Sequence, residues 1–176
     1  NPLVGELTTV SPIELRSTLT VNGASLITDL RFTTFGALEA NAPLQLVGRD
    51  IQWNRGPISG TAIVTVDGFM TAAPSIVRPL ATAMEIVDTF SHDGTTNIVD
   101  DGGPSNLTIS SGGLLSGVGL IQRGSPDARM NVFGTVGATG GTLSIAAPIR
   151  HFAGGYSALE GTTRIQRGFR GLGNGS

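Results

Sequence analysis

The side chains best suited to chemistry lie in one acidic, glycine-rich stretch, where His92 and Asp93 are followed closely by Asp100 and Asp101. Ca²⁺ takes about six to eight oxygen ligands, so carboxylates on such a loop suit it. The spacing does not match the EF-hand loop, which closes with a bidentate Glu. Asp and Gly also favour turns for backbone reasons alone. We therefore predict a solvated turn without a metal or cofactor, and keep Ca²⁺ bound by Asp93, Asp100 and Asp101 as the alternative.

Few other residues could support catalysis. The histidines are His92 and His151, the second in a position typical of a strand end, and the chain has no Gly-x-Ser-x-Gly motif. Glycoside cleavage would need a pair of carboxylates. The candidates each stand beside a strand end or a turn, and the sequence does not bring any two together: Asp29, Asp50, Asp67 and Asp88. We predict that the chain is not an enzyme.

Trp53 is the single tryptophan, and it follows Ile51 at strand spacing. An exposed tryptophan could stack on a sugar ring, which makes Trp53 a candidate carbohydrate-binding residue. A lone tryptophan is more often partly buried in the core. Both interpretations stay open from the sequence.

The composition limits the choice of partners. The chain has 176 residues, of which 26 are glycine and none is cysteine, and its formal net charge is −2. This charge excludes a bulk electrostatic attraction to nucleic acid, and no stretch approaches the ~18 consecutive apolar residues that span a bilayer. Aromatic residues make up only 5%, so the core must be built from small side chains. Because such a core leaves a lone protomer marginal, we expect a homo-oligomer, in the first instance a trimer.

The elements that must position these residues are strands. Apolar and polar residues alternate from Leu15 to Val21, and the run from Thr61 to Val66 is β-branched almost throughout. The segment from Leu80 to Val87 is ambiguous, because it could form about two helical turns or part of another strand. The chain divides into an N-terminal arm (residues 1–12), a single all-β domain (13–160) and a Gly/Arg-rich C-terminal tail (161–176).

Two short repeats indicate stacked, similar units. The run Gly112-Gly113-Leu114-Leu115-Ser116 returns as Gly140-Gly141-Thr142-Leu143-Ser144, and Ile-Gln-Arg-Gly begins at Ile121 and again at Ile165. Many short strands separated by glycine predict an all-β fold with at most one short helix. The repeats and the glycine corners favour a β-solenoid over an antiparallel jelly-roll sandwich.

Arginine supplies every basic residue of the chain and is concentrated in its last third. In the tail, Arg164, Arg167 and Arg170 recur at every third residue, with Phe169 among them. A segment so rich in glycine buries little surface of its own when it becomes ordered. We predict that these four residues form an interface, with the arginines meeting carboxylates and Phe169 filling a groove on a neighbouring subunit.

The stretches GGLLSGVGLIQRG and GTVGATGGTLSIAAPI resemble the glycine-rich rungs of autotransporter passenger domains and phage tailspikes. The segment from Leu19 to Trp53 resembles a pectate-lyase-like β-helix. The resemblance implies a surface-exposed, usually trimeric or otherwise repetitive structural protein, and no catalytic motif of those families can be placed on this chain. Two hypotheses follow. One is a structural, self-assembling capsid, decoration or fibre protein, extracellular or on a virion surface. The other is a carbohydrate-binding or polysaccharide-cleaving β-helix module.

Overall fold

A computed structural model describes residues 3–33, 35–99, 105–152, 155–156 and 160–165 of the chain. These residues form one sheet of 18 strands, in which neighbouring strands pair in parallel and wind into a β-solenoid of about 7 turns. The predicted all-β solenoid is confirmed, and the antiparallel jelly roll is wrong. The described residues contain no helix, and the ambiguous residues from Leu80 to Ile86 are extended as part of a strand.

Most strands are short, whereas a few long ones bend round a corner of the solenoid. Their bounds are β1 (Leu3–Val4), β2 (Ile13–Leu15), β3 (Thr18–Val21), β4 (Ser25–Thr28), β5 (Leu30–Phe32), β6 (Ala37–Ala40), β7 (Leu44–Trp53), β8 (Ile58–Ala72), β9 (Val77–Ile86), β10 (Thr89–His92), β11 (Thr95–Ile98), β12 (Asn106–Ile109), β13 (Leu114–Arg123), β14 (Arg129–Val132), β15 (Thr135–Ile145), β16 (Ile149–Phe152), β17 (Gly155–Tyr156) and β18 (Glu160–Ile165).

The pairings divide the solenoid into three sides. The first side contains β1, β3, β6, β11 and β18 with parts of β8, β9, β13 and β15. The second side contains β4, β12, β14 and β16 with parts of β7, β8 and β9. The third side contains β2, β5, β10 and β17 with parts of β7, β8, β13 and β15. Hydrogen bonds between turns therefore run along the axis, with neighbouring turns about 4.8 Å apart.

The interior is filled by ladders of apolar side chains, with one residue from each turn. On the second side, the register stacks Ile27, Leu46, Val66, Ile86, Ile109 and Val132. Every member of this ladder is 0% exposed. Because successive side chains of a strand point to opposite faces, the residues between them line the outer surface. The alternation seen in the sequence thus separates the core from the surface in every turn.

Glycine forms the corner between the second and third sides. Gly48 has a φ of 112° and pairs with Gly68 in the next turn. A Cβ on Gly48 would lie 2.1 Å from Oδ1 of Asp29, and one on Gly68 would lie 2.2 Å from the carbonyl oxygen of Gly48. Oδ1 of Asp29 instead accepts the backbone N–H groups of Arg49 and Asp50, each at 2.9 Å. The corner needs glycine because backbones of neighbouring turns touch there.

The glycine-rich repeat found in the sequence does not mark one turn. Its first copy leads into Leu115, which pairs with Val136 on the third side, whereas its second copy contains Leu143, which pairs with Gly119 on the first side. Stacked, similar units are present, but these two copies occupy different sides. Each copy contains a glycine with its own local reason: a Cβ on Gly113 would lie 2.3 Å from the carbonyl oxygen of Ile86, and Gly140 has a φ of 71°.

The Ile-Gln-Arg-Gly echo, by contrast, is in register with the turns. Ile121 pairs with Ile145, and Ile145 pairs with Ile165. The two copies therefore begin at the same place on the first side, two turns apart. The remaining residues of the second copy lie outside the described part of the chain.

Both ends of the described chain join the sheet. Within the segment assigned to the N-terminal arm, Leu3–Val4 pairs with β3 and Thr8 forms a bridge to Leu26. At the other end, Glu160–Ile165 pairs with β15. The rest of the predicted tail, residues 166–176, lies outside the described residues.

Candidate functional site

Trp53 lies inside the solenoid and is 0% exposed. Its indole N–H donates to the carbonyl oxygen of Gly56 at 2.9 Å, and its ring stacks on Phe90 with the ring centroids 6.4 Å apart. The alternation of β7 turns the side chain inward, as it does for Ile51. The structure therefore corrects the proposed sugar platform at Trp53, since neither face of the ring is open to a ligand.

His92 also points inward, which corrects its placement in a solvated turn. It is 1% exposed, with Nδ1 2.8 Å from the carbonyl oxygen of Val118 and Nε2 3.1 Å from the hydroxyl of Thr96. The pKa of His92 is lowered to about 4, mainly by burial and in smaller part by the charge of Arg78, while the hydrogen bond with the carbonyl of Val118 and the charge of Asp93 oppose this shift. The imidazole is therefore neutral at pH 7 and is enclosed by the fold.

Arg78 is the fully buried charge beside this histidine. Its Nε donates to the carbonyl oxygen of Trp53 at 2.7 Å, and its Nη1 donates to the carbonyl oxygen of Asp93 at 2.9 Å. Burial lowers the pKa of Arg78 to about 10, so the guanidinium stays charged at pH 7. The side chain thus ties β7, β9 and the corner after β10 together from the inside. We interpret Arg78, His92 and Thr96 as an internal structural cluster.

The Ca²⁺ candidates are only partly described. Oδ1 of Asp93 accepts the backbone N–H of Gly94 at 2.6 Å, as expected for a turn, whereas Asp100 and Asp101 lie outside the described residues. Among the described residues, no group of three or more His, Asp or Glu side chains could hold a metal ion.

Each aspartate considered for glycoside cleavage has a partner of its own. Asp29 caps a corner, Asp50 forms an ion pair, and the other two accept hydrogen bonds from neighbouring side chains. Asp29 accepts the backbone N–H groups of Arg49 and Asp50, and Asp50 pairs with the guanidinium of Arg31. Asp67 accepts a hydrogen bond from the amide of Gln45, and Asp88 accepts one from the hydroxyl of Thr89. His151 lies on β16, and its side chain is not among those described.

Of the four predicted interface residues, only Arg164 lies in the described part of the chain. It is exposed on β18, next to Ser144 of the preceding turn. Arg167, Phe169 and Arg170 lie outside the described residues.

The third side carries an exposed aromatic ring that the sequence analysis did not single out. Phe69 is 40% exposed, whereas Met70 is buried. Gln52 of the preceding turn pairs with Thr71, two residues after Phe69. We call Arg31, Asp50, Gln52, Phe69 and Thr71 the Phe69 patch.

The polar side chains of the Phe69 patch hold one another in place. Arg31 and Asp50 form an ion pair, and Nε2 of Gln52 donates to Oδ1 of Asp50 at 2.5 Å. Nδ2 of Asn54 in turn donates to Oε1 of Gln52 at 3.2 Å. The hydrogen bond from Arg31 lowers the pKa of Asp50, and that from Gln52 lowers it further. The result is a fixed row of donors and acceptors around an ionised carboxylate.

The second side carries a groove of about 840 Å³ at its border with the first side. Ile63 lies in this groove and is 50% exposed. Small or uncharged residues dominate the lining, with Glu85 as the charged one: Ala24, Ser25, Pro43, Leu44, Gln45, Thr61, Ala62, Ile63, Thr65 and Glu85.

The period-two pattern around Phe69 could have placed its ring on the surface. The groove around Ile63 could not be predicted from the sequence, because the strands that form its walls are brought together only by the pairing register between turns.

The fold defines the class of protein as a three-sided, parallel β-solenoid with a packed apolar interior. A scan against protein-family models finds no match to this chain, and searches of the curated proteins and of the solved structures also find none. In the described ranges, no helix with the length and apolar character to cross a membrane is found.

Proposed function

We propose that this chain is a structural, self-assembling component of a virion or cell surface, such as a capsid, decoration or fibre protein. It acts through contacts between subunits and performs no catalysis. Its partners are further copies of itself, first as a trimer, and then other subunits of a larger assembly. It works extracellularly or on the virion surface, without a cofactor and without specific binding to nucleic acid.

The observation that carries this proposal is the groove around Ile63. A half-exposed isoleucine set among small, uncharged residues is surface that association would remove from water. The lining of the groove comes from several successive turns at the border between the first and second sides, so a second copy can contact several turns at once. Lateral association also supplies the stability that a core of small side chains leaves short.

The experiment is a measurement of native mass by light scattering after size exclusion. The wild-type chain should give the mass of three copies of the 18.0 kDa protomer. Ile63→Asp should give a folded monomer, because it places a charge in the contact.

The matched control is Val77→Asp, which puts the same charge on an exposed apolar residue at another corner, where Val77 is 61% exposed. This variant should keep the wild-type mass. A folded wild-type monomer at micromolar concentration would contradict the proposal. So would an Ile63→Asp protein that assembles like the wild type.

A carbohydrate-binding or polysaccharide-cleaving module is the second candidate. Cleavage gains no support from the described aspartates, because each of them is engaged in a structural contact. Binding is favoured by one observation, the exposed ring of Phe69 beside a fixed row of polar groups.

A further inference from the structure

We infer that the Phe69 patch binds an uncharged polysaccharide chain that lies along the solenoid axis. This inference concerns the third side, so it does not depend on the proposed assembly through the second side. It also moves the carbohydrate hypothesis from the buried Trp53 to a surface that a polymer can reach.

The first argument is the position of the ring. Phe69 is 40% exposed, and its neighbours on the outer face are Thr71, two residues along β8, and Thr89, its partner in β10. A sugar ring has an apolar face of C–H groups that an aromatic ring can cover, and a rim of hydroxyl groups. An exposed phenylalanine bordered by threonine hydroxyls matches both parts of such a ligand.

The second argument is that the polar groups are already in place. Gln52 donates to Asp50 and accepts from Asn54, while Asp50 also pairs with Arg31. Side chains held in this way lose little conformational entropy when a ligand binds. An ionised carboxylate and a planar amide leave further acceptor sites for ligand hydroxyls, and hydrogen bonds to a carboxylate are among the stronger ones.

The third argument is the repeat. Along the axis, Gln52, Thr71 and Ser91 stand side by side in three successive turns, each about 4.8 Å from the next. This interval is close to the length of one sugar unit in an extended chain. A polysaccharide along the axis therefore places successive sugars over successive turns.

The charge of the Phe69 patch indicates which kind of polysaccharide it binds. The positive charge of Arg31 is neutralised by Asp50 within the patch, so the binding groups present no excess charge to a ligand. The patch therefore has no net positive charge that would attract an acidic polymer. An uncharged chain does not depend on such an attraction.

The test is affinity electrophoresis of the full chain in gels that contain soluble xylan, β-glucan, galactomannan or, as the acidic probe, polygalacturonate. The wild type should be retarded by at least one uncharged polymer. Phe69→Ala should bind that polymer about tenfold more weakly, through loss of apolar contact. Gln52→Ala should bind it about fivefold more weakly, through loss of a hydrogen bond.

The matched control is Phe35→Ala, because Phe35 is 81% exposed and lies between β5 and β6, at the corner between the third and first sides. This variant should keep the wild-type affinity, and all variants should keep the wild-type native mass. The inference fails if no uncharged polymer retards the wild type, or if only polygalacturonate does. It also fails if Phe69→Ala binds as well as Phe35→Ala. A change of native mass in Phe69→Ala without polysaccharide binding would identify the third side as a contact between copies instead.

Discussion

Nε of Arg78 donates a 2.7 Å hydrogen bond to the backbone carbonyl of Trp53 in the centre of the solenoid, where both residues are fully buried. A buried charge is costly unless hydrogen bonds replace its water. Backbone carbonyls provide two of those bonds here, at Trp53 and at Asp93, whereas Nη2 of Arg78 is buried without a hydrogen-bond partner among the described residues. The interior is therefore not uniformly apolar, and one charged side chain joins the backbone of separate turns.

The first prediction concerns this contact. Arg78→Met should lower the free energy of unfolding by about 3 kcal/mol, because it leaves the carbonyls of Trp53 and Asp93 buried without donors. Urea denaturation measures the change. The control is Arg16→Met, which removes an exposed ion pair with Glu14 and should cost at most about 0.5 kcal/mol. Equal stability of the two variants would contradict the structural role of Arg78.

The second prediction is a dependence of stability on pH through His92. Its pKa is about 4 in the folded chain, against an ordinary value of 6.5. Between these values the unfolded chain binds the extra proton, so the free energy of unfolding falls as the pH drops, by about 3 kcal/mol in total. The charged groups that act on the imidazole are Arg78 and Asp93.

The measurement for His92 is urea denaturation at several pH values between 7 and 4, as the difference between the wild type and His92→Gln. This comparison removes the contribution of the carboxylates, which titrate in both proteins. The wild type should lose more stability on acidification than the variant. Parallel curves for the two proteins would show that His92 is not the titrating group.

The third prediction concerns the glycine corner. Gly48→Ala should lower the free energy of unfolding by about 2 kcal/mol or more, because its φ is 112° and the new Cβ would meet Asp29. Gly112→Ala is the control, since the nearest atom to its Cβ would be 3.6 Å away, and its stability should change by less than about 1 kcal/mol. Thermal denaturation of both variants measures the difference in stability between them. A Gly48→Ala chain as stable as the control would refute the packing described for this corner.

The fourth prediction is that metal is not needed for folding. Treatment with EDTA should leave the melting temperature unchanged, because Asp93 caps a turn through the N–H of Gly94. Calorimetry of the EDTA-treated protein, before and after addition of Ca²⁺, measures the melting temperature. A melting temperature that falls by many degrees with EDTA and returns with Ca²⁺ would favour a cation held by Asp93, Asp100 and Asp101.

The fifth prediction concerns the tail. Deleting residues 168–176 should leave the far-ultraviolet circular dichroism of a β protein intact while weakening assembly, because Phe169 and Arg170 are predicted to contact a neighbouring subunit. Sedimentation at several concentrations measures the association. A truncated chain that assembles with undiminished affinity would show that these residues are not part of the interface.

The sequence predicted the class of fold because period-two alternation survives in most strands, as from Leu15 to Val21. It did not predict the full extent of β8. The pair Asp67-Gly68, after the β-branched run from Thr61 to Val66, is typical of a turn that ends a strand, but β8 continues to Ala72. The reason is that Gly68 bends the strand at a corner while still pairing with Gly48. A local turn signal cannot distinguish the end of a strand from a bend within it.

The segment from Leu80 to Val87 was ambiguous for a related physical reason. Leu80, Ala81, Thr82, Ala83 and Met84 are all buried, because the chain rounds a corner there. Burial of consecutive residues hides the alternation that marks a strand. The inward positions of Trp53 and His92 depend on the same register of turns. Residue type alone left Trp53 open between core and surface, and it placed His92 in a solvated turn.

Leu114 pairs with Thr135 of the next turn, and this one-turn register determines how a duplication in the sequence would change the length of the solenoid. A turn of the solenoid bonds only to the turns on either side of it, so an additional copy of this stretch would find the same partners and leave distant turns undisturbed. Each duplication would lengthen the rod by about 4.8 Å. The number of such segments in the chain would therefore set the length of the solenoid.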